Sequence, residues 1–247
     1  MNHSPLLRSF LFQITVVAVS AGATAFGAGF ALDFDELDTA GGTTVTAAGF
    51  QSFTIDTANA VVNTPVVRTY GTITVSLQPN NSAFGFDDRL RATPTNSGAL
   101  TTSDLLRDFV FSRATGAGNT DGFDLTIAGL AANQPYRFTI YSFDSSSLGN
   151  RVSDWFANGV EVISNYSFNG SVLPADDTQY QFSFTASTDA AGQIVIGGRR
   201  DDASLDGASA PSFGVFLNAI QLDLVPEPAT AALLTSGLGF CVWRRRR

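Results

Sequence analysis

Lysine is missing from this chain altogether, and its single histidine and single cysteine, His3 and Cys241, stand near the two termini. Between them no side chain can form a lysine Schiff base, assist a nucleophile as an imidazole, or ligate zinc through histidine. Proton transfer is left to carboxylates and tyrosines, which excludes most hydrolase mechanisms. A lone cysteine makes no intrachain disulfide, so the body must be held by burial alone or by burial plus a metal ion. Positive charge is scarce as well. Residues 32–225 carry 9 arginines against 21 aspartates and glutamates, a net charge of −12. Such a surface repels phosphate backbones and argues against nucleic acid as a partner. Long apolar runs are absent too: neither Phe10–Val19 nor Ala229–Trp243 reaches the roughly 20 residues of a comfortable membrane-spanning helix.

What is present is most specific at the two ends. Arg8 precedes the short apolar stretch Phe10–Val19, and small residues follow from Ser20 to Ala31. Basic start, apolar core and Ala-x-Ala sites make a secretory signal peptide over residues 1–31, cut by signal peptidase between Ala23 and Ala31. At the other end, residues 225–247 run through Pro226-Glu227-Pro228, an apolar stretch interrupted by Thr235, Ser236, Gly237 and Gly239, and then Arg244, Arg245, Arg246 and Arg247. The prolines hold the triplet stiff and extended. The apolar stretch is a short, weak membrane helix, and the arginines form a cytoplasmic stop that leaves everything before it outside. This order resembles the PEP-CTERM sorting signal of Gram-negative bacteria that make extracellular polysaccharide. The resemblance implies an exported protein, anchored transiently in the inner membrane, read at Pro-Glu-Pro by an exosortase, and passed to the cell surface or extracellular matrix.

Between the targeting segments, residues 32–224 read as one domain of about 195 residues, long enough for a real core. Apolar and polar residues alternate in Leu32–Leu37, Phe50–Ile55, Tyr70–Leu77, Phe109–Phe111, Phe123–Ile127, Tyr136–Phe143, Tyr180–Phe184, Gln193–Ile196 and Val215–Leu224. Phe, Tyr, Ile, Val and Thr dominate these segments, and Gly, Asn, Asp, Ser and Pro separate them. Only Ser103–Asp108 suits a helical turn. The expectation is an all-β fold, a single jelly-roll β-sandwich of roughly eight to ten strands, with the signal helix and the short C-terminal apolar helix outside it.

The series Ile127-Ala-Gly-Leu130, Pro135-Tyr-Arg-Phe138 and Asn218-Ala-Ile220 resembles galactose-binding-like and carbohydrate-binding-module-like β-sandwiches of bacterial surface proteins. The resemblance implies that fold, contact with polysaccharide, and a structural calcium joining the first and last strands, with Asp33 or Asp35 and Asp223 as the matching positions. The residues allow both calcium and plain solvated charge here, as they do at Asp87-Asp88, Asp176-Asp177 and Asp201-Asp202. Asp121-Gly122 after Asn119 reads as a hairpin turn rather than as one copy of a calcium nonapeptide. Trp155 has two readings. It is a core residue of a strand over 152–158, which the strand pattern favours, or it is a sugar platform among Asp144, Asn150, Arg151 and Asp154. No glycosidase spacing of carboxylates appears, although Glu161 is near Trp155. A non-catalytic domain that contacts polysaccharide is therefore expected, with a purely structural or adhesive module as the alternative and a carboxylate-based glycosidase as a distant third.

Overall fold

The computed structural model of the protein describes residues 29–35, 46–55, 62–80, 85–92, 94–112, 122–200 and 215–226. The described chain is all-β. Its first strands are β1 (Phe30–Asp33), β2 (Gln51–Ser52), β3 (Val66–Tyr70), β4 (Ile73–Pro79), β5 (Phe86–Leu90), β6 (Asp108–Ser112) and β7 (Gly122–Ala128). Then come β8 (Pro135–Tyr141), β9 (Asn150–Ala157), β10 (Val160–Asn169), β11 (Gln181–Ser187), β12 (Ile194–Arg200), β13 (Phe216–Leu217) and β14 (Ala219–Leu224). One sheet has the order β11-β8-β14-β1-β2, a second β10-β9-β12-β7-β4-β3, and a small third β13-β6-β5.

Period-two patterning explains how the large sheets meet. Ile73, Val75 and Leu77 of β4, Phe123, Leu125 and Ile127 of β7, and Ile194 and Ile196 of β12 all point inward from the six-stranded sheet. Leu32 of β1, Phe138 and Ile140 of β8, and Ile220 and Leu222 of β14 point back at them from the five-stranded sheet, closing one apolar core. Under the third sheet lies a separate aromatic cluster of Phe109, Phe143, Phe168 and Phe216.

Several expected elements take a different form. Tyr70–Leu77 is not one strand: it breaks at Gly71 and folds back as the β3–β4 hairpin. The expected turn at Asp121-Gly122 lies at the edge of residues 113–121, outside the described residues, and β6 and β7 on either side belong to different sheets. Asp87 and Asp88 are not loop charges but fully buried residues of β5, with Asp87 paired to Arg89 at 2.7 Å. Ser103–Leu106 forms the expected helical turn, of 3-10 type. Gly129 is required where it stands: its φ is +87°, and a Cβ there would collide with the Thr72 carbonyl. β1 starts at Phe30, two residues before the expected start of the domain. Among the described residues no helix is long and apolar enough to cross a membrane. The expected signal helix, Glu227 to Arg247 and Asp201-Asp202 lie outside the described residues.

Candidate functional site

Asp33 ends β1 and Asp35 follows two residues later, so strand alternation sets both carboxylates on one side. Asp108 opens β6 and meets them: one ligand oxygen from each of the three lies within 4.8 Å of the others. All three residues are 0 % exposed. The Ala47 N–H donates to Asp33 Oδ2 at 2.8 Å, and the Thr46 hydroxyl donates to Asp35 Oδ2 at 2.7 Å. Asp33 Oδ1, Asp35 Oδ1 and both oxygens of Asp108 are buried without a protein hydrogen-bond partner.

Three carboxylates in so dry a place cannot all ionise unaided. Burial, reinforced by the Asp35 charge and only partly offset by the Ala47 N–H, pushes Asp33 up to about 8. Burial and the neighbouring Asp33 and Asp35 push Asp108 up to about 9, and burial raises Asp35 too. Four oxygens without partners, no nitrogen or sulfur donor, and three negative charges fit a hard cation such as calcium. Asp33, Asp35 and Asp108 would hold it, and its charge would compensate theirs. With no exposed surface, the trio is closed to a substrate.

Asn218, at the junction of β13 and β14, ties the surrounding strands together. Its Oδ1 accepts the Phe143 N–H at 2.7 Å, its Nδ2 donates to the Asp108 carbonyl at 2.8 Å, and its own carbonyl accepts the Phe34 N–H at 2.7 Å. Sequence reasoning missed the parts played by Asp108 and Asn218. Asp108 read as the end of a helical turn, and its one signal was its place directly before the apolar Phe109-Val-Phe111.

Asp223 does not belong to this centre. Asp33 lies opposite Ala219 in the β1–β14 ladder, so Asp223 is four residues farther along, roughly 13 Å away. It accepts instead from the Gln221 amide at 3.2 Å.

Trp155 is a core residue, not a platform. It is 0 % exposed, edge-on to Phe123 at 6.0 Å and tilted on Phe182 at 5.2 Å, and its Nε1 donates to Ser153 Oγ at 3.0 Å. Space for the indole comes from Gly198, its partner on β12, where a Cβ would stand 3.2 Å from Trp155 Cζ3. The polar residues expected around it disperse. Asp144 is buried and clamped by Arg91, with Nε at 2.9 Å and Nη2 at 3.3 Å. Burial opposes its charge, yet Arg91, Ser146 and Ser147 outweigh that and hold its carboxyl below the usual range. Asn150 is exposed opposite Asn169, and Arg151 donates to the Leu148 and Asn150 carbonyls. Asp154 faces the other side of the sheet.

On that outer face lies a groove of about 500 Å³ lined by Asp124, Asp154, Phe156, Glu161, Gly197 and Arg199, among others. Arg199 Nη2 pairs with Asp124 at 2.5 Å, and Asp154 Oδ1 accepts the Asn165 N–H at 2.7 Å. Glu161 and Asp124 stand in one row on strands three apart, roughly 14 Å at the usual strand spacing.

No described family matches the chain, and no curated protein matches it in sequence. Solved structures do match. The extracellular domain of ANXUR1 from Arabidopsis thaliana is 9% identical over 56% of this chain, with a TM-score of 0.42. The chain spans 38% of that protein's length. A family 35 carbohydrate binding module from Clostridium thermocellum is 13% identical, with 64% of this chain and 97% of that one covered and a TM-score of 0.30. The CBM22-1 xylan-binding domain of Paenibacillus barcinonensis Xyn10C is 11% identical, covering 62% and 87% of the two chains, with a TM-score of 0.37. At these TM-scores no function passes from those proteins to this chain.

Proposed function

We propose that this protein is an exported, non-catalytic jelly-roll β-sandwich that works at the cell surface or in the extracellular matrix and contacts polysaccharide there. A structural calcium ion held by Asp33, Asp35 and Asp108 takes the place of the disulfides it lacks. The observation that carries the scaffold reading is the closed carboxylate trio, with its four buried oxygens that no protein donor satisfies. An ion there links β1, the first strand, to β6 across two sheets, and binding to the folded state alone stabilises that state. The absence of lysine and of any histidine but His3 supports a role without chemistry.

Sorting by exosortase is the second part of the proposal. Pro226 is exposed two residues after β14, and the Val225 N–H donates to the Pro135 carbonyl at 3.0 Å, so the last described strand stops just short of the Pro226-Glu227-Pro228 triplet. Signal peptidase cleavage after Ala23 or Ala25 leaves β1 whole, whereas cleavage after Ala31 would remove half of it. Intact-mass measurement in a host that carries an exosortase tests this. The mature protein should lack Arg244–Arg247, and Glu227→Ala should retain them. A mature wild-type protein that still ends in its arginines refutes the sorting proposal.

A further inference from the structure

We infer that the groove on the outer face of the six-stranded sheet is the polysaccharide subsite of this domain, and that it takes uncharged sugars and excludes polyuronates. This deepens the proposal that the domain contacts polysaccharide and rests on it.

Four residues form a row straight across the strands: Glu161 on β10, Phe156 on β9, Gly197 on β12 and Asp124 on β7. Gly197 alone in that row has no side chain. The paired Asp124 and Arg199 side chains lean over it, since a Cβ at Gly197 would stand 3.0 Å from Asp124 Oδ1 and 3.1 Å from Arg199 Nη1. On its other side is Phe156, a half-buried aromatic ring. An apolar wall facing planar polar groups across a gap suits a pyranose, whose C–H face packs on the ring while its hydroxyls meet the polar side. The row is roughly 14 Å long, which suits a chain of sugars lying across the strands rather than a single one.

The charges select the kind of sugar. Arg199 already donates through Nη2 to Asp124 and through Nη1 to the Phe123 carbonyl at 2.7 Å and the Gly198 carbonyl at 3.0 Å. Its guanidinium therefore sits within a protein network rather than facing a ligand carboxylate. Asp154 and Glu161 add two further carboxylates and Arg200 a second guanidinium, so the lining holds three acids against two arginines, on a domain whose sequence carries a net −12. Carboxylates accept hydrogen bonds from hydroxyls readily, but a uronate in every sugar would meet a lining whose acids outnumber its arginines.

Titration calorimetry of the full chain against soluble mixed-linkage β-glucan, xylan, galactomannan and dextran, with polygalacturonate as the anionic arm, tests the inference. At least one neutral polysaccharide should bind, and polygalacturonate should not. Phe156→Ala should weaken that binding about tenfold or more, and Gly197→Ala, whose methyl displaces the Asp124 and Arg199 side chains that lean over it, should do the same. Both should keep a cooperative melt near that of wild type. Glu161→Gln, at an exposed position, gives a third variant with little risk to folding. If wild type binds a neutral polysaccharide and all three variants bind it equally well, the groove assignment falls while polysaccharide contact stands. Tighter binding of polygalacturonate than of every neutral polymer defeats the charge argument. If wild type binds none of the five, the groove assignment and polysaccharide contact fall together.

Discussion

Calcium should change the way this domain's stability depends on pH, because protons and the cation compete for the same oxygens. In the metal-free protein Asp33 titrates at about 8 and Asp108 at about 9, against an ordinary value of 3.8. The folded state therefore holds protons that the unfolded chain gives up over that interval. Stability is fully present below about pH 4 and declines as pH rises toward 9. Asp144 and Asp177 are held low, so their contribution is lost only below about pH 4, outside this window. Calcium needs the carboxylates ionised, so its affinity grows with pH over the interval in which the apo protein weakens. At a hundredfold excess over Kd the ion adds about 2.7 kcal/mol. For a domain of this size that corresponds to about 5–10 °C in Tm. Thermal melts followed by circular dichroism from pH 4 to 8.5, in EDTA or in excess calcium, should give coincident curves at pH 4 and that gap at pH 8. Asp108→Asn should lose the calcium response and, in EDTA at pH 8, melt higher than wild type, while Asp223→Asn should respond as wild type does. Equal Tm in EDTA and calcium at pH 8, or a full response in Asp108→Asn, would refute the reasoning.

Trp155→Ala should cost about 3–5 kcal/mol through lost burial and a cavity between Phe123 and Phe182. In a Trp243→Phe background the emission of Trp155 should be blue-shifted and poorly quenched by acrylamide; red, readily quenched emission would contradict its burial. Asn218→Ala leaves the Phe143 N–H and the Asp108 carbonyl buried without their partner, a loss of about 2–4 kcal/mol in urea denaturation. A loss below about 0.5 kcal/mol would show that the amide does not tie these strands together.

The strands with clean alternation were legible from sequence, because β4, β7 and β8 each send every second side chain into the same core. β10 was not. It is an edge strand with register shifts and a positive φ of 57° at Asn165, and its polar sequence shows no regular inward set. Of the buried centre, Asp33 and Asp35 could be picked out as neighbours in sequence, whereas Asp108 reaches them only through the packing of β6, which local patterning does not encode. The tryptophan shows the same limit. Alternation says that Trp155 faces opposite to Asp154 and Phe156, but which face is inside depends on Gly198 making room two strands of sequence away. The outer groove likewise follows from register: Glu161, Phe156, Gly197 and Asp124 come from four strands, and only the ladder lines them up.

The pairing of β1 with β14 also governs how the molecule bears load. Phe30 lies opposite Leu222, so the chain enters and leaves the sandwich side by side at one end of an antiparallel ladder. Tension between those two points would open the ladder like a zipper, one hydrogen-bonded pair at a time, the weakest way to pull a sheet. Asp33, at the far end of that ladder, is where such an opening would meet the carboxylate centre and stall if a cation fills it. A domain tethered through its C-terminal end alone escapes this load, since drag on a bound polymer then passes from the outer sheet through the whole core to β14.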